Sequence, residues 1–164
     1  MNFESAADAT IMNRRQTVSF VAHGIPTVGL LLQGLLYVAT SRFMPYHADA
    51  LGTTWEALPP NYQGFLIGVI KAMGAGSIGV TMALLILLLI PFRRGDTWAR
   101  WAVPLIGAVF TTLTAYAAFT IDTRTPASPP WRQTIALTML YVAGALISCW
   151  PSRSDSRRTA VFRG

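Results

Sequence analysis

Apolar residues in this chain fall into four long runs separated by short polar stretches. The longest runs from Gly64 to Ile90 and is broken by a single charge, Lys71. About 20 apolar residues suffice to cross a ~30 Å hydrocarbon layer, so this run reads as a membrane-spanning helix. Three further runs, at about 18–40, 102–121 and 133–150, have the same character. The pattern predicts an all-α membrane protein, a four-helix transmembrane bundle with up-down-up-down topology. A polar segment, 1–17, precedes it, and a basic tail, 152–164, follows Pro151.

The links refine this arrangement. The 41–63 connection is the longest; its Thr53 and Glu56 have capping-box spacing and predict a short helical turn there, with Trp55 as an interfacial anchor. The second link, PFRRGDTWARW, is so short that spans two and three must be antiparallel neighbours, with Gly95 ending one helix and Asp96 capping the next. Pro26, inside span one, leaves the carbonyl of Ala22 without its helical donor and predicts a local kink.

Charge placement sets the orientation. Arg14, Arg15, Arg93, Arg94, Arg100, Arg153, Arg157, Arg158 and Arg163 lie on one side, and Arg42, Arg124 and Arg132 on the other. Nine against three predicts both termini in the cytoplasm. Only 12% of residues are charged, half the share of an ordinary soluble domain, although the net charge is +6. The basic residues sit at helix ends, so the partner they imply is the lipid bilayer and not nucleic acid. Arg93, Arg94 and Arg100 with Trp98 and Trp101 form a basic-aromatic edge suited to lipid headgroups.

Chemistry is sparse. One cysteine, Cys149, allows no intrachain disulfide, and two histidines at opposite ends of span one make no shared metal site. No catalytic constellation and no cofactor motif is present. Gly74-Ala75-Gly76-Ser77-Ile78-Gly79 matches G-x-G-x-x-G, but no strand precedes it, so it is helix interior and not a nucleotide loop. Gly64, Gly68, Ala72 and Gly76 recur every four residues and form a small-residue ridge for close helix packing, against another span, a second copy or another membrane protein. Lys71 lies beside that ridge; it either snorkels to the headgroups, pairs with Glu56, Asp122 or Asp49 at the same end of the bundle, or serves a ligand or proton site. In span one His23, Gln33 and Tyr37 share a face that should turn inward.

Four spans, a long first outer loop, FMPYH followed by a Trp, and the PFRRGDTWARW hairpin together resemble small bacterial inner-membrane proteins of uncharacterised, DoxX-like type. The resemblance implies a multi-pass protein of the bacterial inner membrane, and it includes relatives associated with a quinol oxidase. Three functions follow as expectations: a non-enzymatic accessory or interaction subunit, a small-molecule or proton pathway through the bundle, and a quinone-associated oxidoreductase subunit.

Overall fold

The structure, a computed structural model, describes residues 12–149. Most of the polar leader, Trp150 and the basic tail lie outside the described residues. Among the described residues all regular structure is helical: α1 (Arg14–Ala39), α2 (Pro45–Leu51), α3 (Pro60–Leu87) continuing into a π-helical turn (Leu88–Phe92), α4 (Ala99–Arg124) and α5 (Trp131–Cys149). At 1.5 Å per residue, the 33 residues of α3 and its π turn reach about 50 Å, and the 19 of α5 about 28 Å. Four of these helices are long and apolar enough to cross a membrane.

The distribution of side chains is inverted relative to a soluble bundle. Phe65, Leu105, Leu113, Met139 and Leu146 are all more than 60% exposed, while Ser19, His23, Thr27, Thr81 and Thr111 are fully buried. An outer surface this apolar suits acyl chains, and polar groups withdrawn from lipid must satisfy one another inside. The protein is an integral membrane protein built as a four-helix transmembrane bundle.

Helix ends follow local chemistry. Asn13 caps α1 by accepting a hydrogen bond from the amide of Gln16 at 2.9 Å. At the same end, Gln16 Nε2 donates at 2.7 Å to the carbonyl of Phe92, which also accepts from the Gly95 amide at 3.0 Å, so α1 is tied to the end of the π turn. Pro26 lies within α1 without ending it. Pro91 cannot donate to a helical ladder, and the chain passes it in the π-helical turn, which leaves Phe92 fully buried. Gly95, at φ +84, turns the chain, and Arg100 Nη2 clamps that turn by donating to the Gly95 carbonyl at 3.2 Å.

Two local expectations are corrected. The short helix of the long link lies at Pro45–Leu51, ahead of Thr53, where Pro45 supplies a preset first turn and Gly52, at φ +64, stops it. Residues 54–58 form turns, and Gln63 Nε2 donates to the carbonyls of Trp55 and Leu58 at 2.8 and 3.0 Å. Helix α4 starts at Ala99, with Trp98 and not Asp96 at its cap position.

The spans form a ring in the order α1, α3, α4, α5. Helix α1 packs along both α3 and α5, and α4 packs along α5. The seam between α3 and α4 is the thinnest, although the shortest link joins them. They meet around the π turn, where Leu84, Leu88, Phe92, Ala99 and Val103 share one cluster with Leu30 and Tyr141. Towards the opposite end a crevice separates them.

Candidate functional site

The crevice has a cavity of about 200 Å³ lined by Gln33 and Tyr37 of α1, Met73, Gly76 and Ser77 of α3, and Phe110 and Thr114 of α4. Tyr37 and Gln33 are one turn apart on α1, so both reach the same opening. Most of the polar lining is already engaged. Ser77 Oγ donates to the carbonyl of Leu30 at 3.2 Å, and Thr114 Oγ1 donates to that of Phe110 at 2.9 Å. Tyr37 and Tyr46 share a hydroxyl–hydroxyl bond of 2.8 Å, which ties α2 to the top of α1. The Gln33 carboxamide has no hydrogen-bond partner among the described residues.

An aromatic cap stands above Tyr37. Tyr46 and His47 stack at 4.1 Å between ring centroids, and Phe43 meets Trp55 edge-on at 5.1 Å. His47 Nδ1 accepts from the Met44 amide at 3.1 Å, which requires that nitrogen to be unprotonated. Burial lowers the His47 pKa from its ordinary value and raises that of Tyr46, whose bond to Tyr37 pushes the same way.

Near the basic end lies a sealed polar core. Ser19 Oγ donates to the Gly144 carbonyl at 2.8 Å, so the 3.4 Å contact with His23 is made by Nδ1–H donating to Ser19. Thr27 Oγ1 donates to the His23 carbonyl at 2.7 Å and therefore accepts from Tyr141 at 2.9 Å. His23 Nε2 and Thr81 Oγ1 are buried with no partner in the structure. The His23 ring lies between Phe92 and Tyr141, at centroid distances of 5.6 and 5.9 Å. Neither His23 nor its neighbours line the crevice.

The other residues singled out in the sequence lie outside both places. Lys71 is exposed and makes no ion pair among the described residues; Glu56 instead meets Arg42 at 3.8 Å, both largely solvated. Asp122 is half-buried near the far end of α4. Gly64, Gly68, Ala72 and Gly76 are exposed, and a Cβ added at any of the three glycines meets nothing within 4 Å. The buried face of α3 carries Ile70, Gly74, Ser77, Thr81 and Leu84, on the opposite side of the helix. Arg93, Arg94, Trp98 and Trp101 are exposed around the hairpin.

The close approaches use other glycines. A Cβ on Gly74 would stand 2.8 Å from the Gly34 carbonyl, and one on Gly34 would stand 3.0 Å from that of Gly74, so α1 and α3 cross there. Gly107 and Gly144 likewise make room for the Tyr141 and His23 rings. The signal available in the sequence was their register. Gly107 lies four residues before Thr111, and Gly144 three after Tyr141, in each case on a buried face.

A second groove, about 470 Å³, lies between the far halves of α4 and α5 and is almost wholly apolar. Its Phe119 and Trp131 rings meet edge-on at 5.4 Å, with the Arg132 guanidinium 5.2 Å from the Trp131 centroid. Among the described residues no group of three or more His, Cys, Asp or Glu side chains converges to hold a metal.

These features define a multi-pass membrane protein with a sealed polar core, a crevice at one seam and a small-residue face turned outward. Comparison of the chain with protein-family models, curated proteins and solved structures gives no match.

Proposed function

We propose that this protein is a non-enzymatic accessory subunit of the bacterial inner membrane that binds a transmembrane helix of a different membrane protein along the outward face of α3. The basic end of the bundle, carrying Arg93, Arg94 and Arg100, faces the cytoplasm by the excess of arginine there. The observation that carries the reading is the position of Gly64, Gly68, Ala72 and Gly76. They form a smooth strip opposite the packed face of α3, where a Cβ added at any of the three glycines meets nothing within 4 Å among the described residues. Lipid chains need no such strip, whereas a second helix backbone can approach closely only where side chains are this small.

Lys71 selects among partners. It stands at the edge of the strip and pairs with no acid among the described residues. Two copies docked by this face with a shared membrane orientation would set both Lys71 ammonium groups at one depth, on the same seam. Like charges there oppose self-association, whereas a carboxylate on a different helix would pair with Lys71.

The test replaces the strip without touching the core. Gly68→Ile and Lys71→Glu should each leave the isolated bundle folded and should each release it from the larger assembly in native membranes, read by its migration on non-denaturing gels. Unchanged migration of both variants would remove the proposal.

The pathway reading has less support. The polar core around His23 is fully buried and does not join the crevice, so the two form no continuous wet route in this conformation.

A further inference from the structure

The crevice between α3 and α4 carries an inference that rests on different residues from the docking face except at Gly76, which borders both. Gln33 stands about 9 Å from the Ala39 end of α1, well inside the apolar band, counting 1.5 Å per residue. A primary amide has two N–H donors and a carbonyl acceptor, and leaving them unmet in a low-dielectric setting is costly. Every other hydroxyl on the crevice wall is engaged by a backbone carbonyl or by Tyr46. On this wall the Gln33 carboxamide is the polar group left without a partner among the described residues, in a cavity otherwise walled by Phe110, Tyr37 and Met73.

Size narrows the ligand. A cavity of roughly 150 Å³ in a protein interior admits benzene, so about 200 Å³ admits one substituted six-membered ring and little more. Access narrows it further. Gly76 is exposed at the crevice edge with nothing within 4 Å of an added Cβ, and Met73 beside it is half exposed. The opening thus faces the lipid side of the seam, so an alkyl tail could stay among the acyl chains while the ring enters. No charged side chain lines the site, which excludes a charged head group.

We infer that the α3–α4 crevice is a binding site for an uncharged, single-ring amphiphile bearing a hydroxyl or carbonyl oxygen, held by the Gln33 carboxamide and admitted laterally past Gly76. A ring hydroxyl donates to Gln33 Oε1 and a ring carbonyl accepts from Nε2, so either oxygen satisfies the amide. Phe110 and Tyr37 supply apolar ring contact, and Met73 adapts to the ring edge.

The test uses the full chain in lipid nanodiscs with ¹³C-methyl methionine, following the Met73 signal, assigned through Met73→Leu. The probe is 4-octylphenol, with 4-octyltoluene as its match lacking the oxygen. The expected result is a saturable shift of the Met73 methyl by 4-octylphenol, about five- to tenfold weaker in Gln33→Leu, the usual weight of one hydrogen bond. Octyltoluene should bind weakly and equally to both proteins. Gly76→Leu, which adds bulk in open space, should abolish saturation while preserving the remaining methionine signals. Non-saturable shifts in the unmodified protein, equal affinity in Gln33→Leu, or saturation surviving Gly76→Leu would each overturn the assignment. The Gln33→Leu and octyltoluene outcomes do not bear on the α3 docking face, which the gel migration of Gly68→Ile tests separately; Gly76→Leu alters both places and is read only in the isolated bundle, where no partner helix is present.

Discussion

The imidazole of His23 occupies the space that a side chain at position 144 would need. A Cβ on Gly144 would stand 2.7 Å from Nε2 and 2.8 Å from Cε1. Ser19 bonds the carbonyl of the same glycine, so α1 and α5 meet through a ring laid over bare backbone. Gly144→Ala should therefore destabilise the bundle by about 1–3 kcal/mol, the usual range for overpacking. Thermal unfolding in detergent micelles checks this. A stability equal to that of the unmodified chain would mean that the ring is not wedged there.

Tyr141 closes the same core through its hydroxyl. Its bond to Thr27 is fully buried, yet such bonds inside membrane bundles average only about 0.6 kcal/mol because alternative partners exist before assembly. Tyr141→Phe should cost no more than about 1 kcal/mol, while Tyr141→Ala should cost several times as much by leaving the space over Gly107 empty. Comparable losses for the two variants would contradict the division between hydrogen bonding and packing.

The aromatic cap should respond to pH through His47. Its pKa in the fold is lowered, so the neutral ring is the form the fold accepts. That contribution is complete above the ordinary histidine value and is lost as pH falls through it towards the lower folded value. Protonating Nδ1 also removes the acceptor for the Met44 amide. Hydrogen exchange over Pro45–Leu51, corrected for intrinsic rates, should accelerate between about pH 7 and pH 5, and His47→Gln should flatten the response. Protection independent of pH in the unmodified chain would refute the role given to His47.

Gly34 and Gly74 should tolerate less than Gly64 and Gly68, although all four have the same small size. Alanine at Gly74 would press on the Gly34 carbonyl and the Tyr37 Cβ, both at 2.8 Å, whereas alanine at Gly64 or Gly68 meets nothing. Gly74→Ala should lower the unfolding midpoint of the isolated bundle, and Gly68→Ala should leave it unchanged or slightly raised through helix propensity. The opposite order would place the α1–α3 crossing on the wrong face.

The number and nature of the spans were legible because hydrocarbon imposes length and apolarity on each segment separately, as in Gly64–Ile90. The inward face of α1 was legible too, since Ser19, His23, Thr27 and Gln33 recur at helical spacing in an apolar background. The rotation of α3 was harder to read. Its two faces are alike in hydropathy, with Gly74 and Ser77 on one and Gly76 and Gly79 on the other, and small residues serve contacts within and beyond the chain equally well. The thin α3–α4 seam had no local signature either, because a short hairpin fixes adjacency at one end only. The placement of α2 at Pro45 and not at Thr53 shows a capping pattern outweighed by a proline start and a Gly52 stop.

The proposed partner of the outward α3 strip is a helix of another membrane protein. A photoreactive phenylalanine analogue placed at Gly68, Ala72, Leu32 or Leu113 tests it most directly in native membranes; the two leucines are lipid-facing positions on α1 and α4. Docking along the strip predicts one discrete protein adduct from positions 68 and 72, lost when Lys71 is changed to Glu, and only lipid adducts from positions 32 and 113. Lipid adducts alone at all four positions, or a protein adduct confined to position 32 or 113, would contradict it.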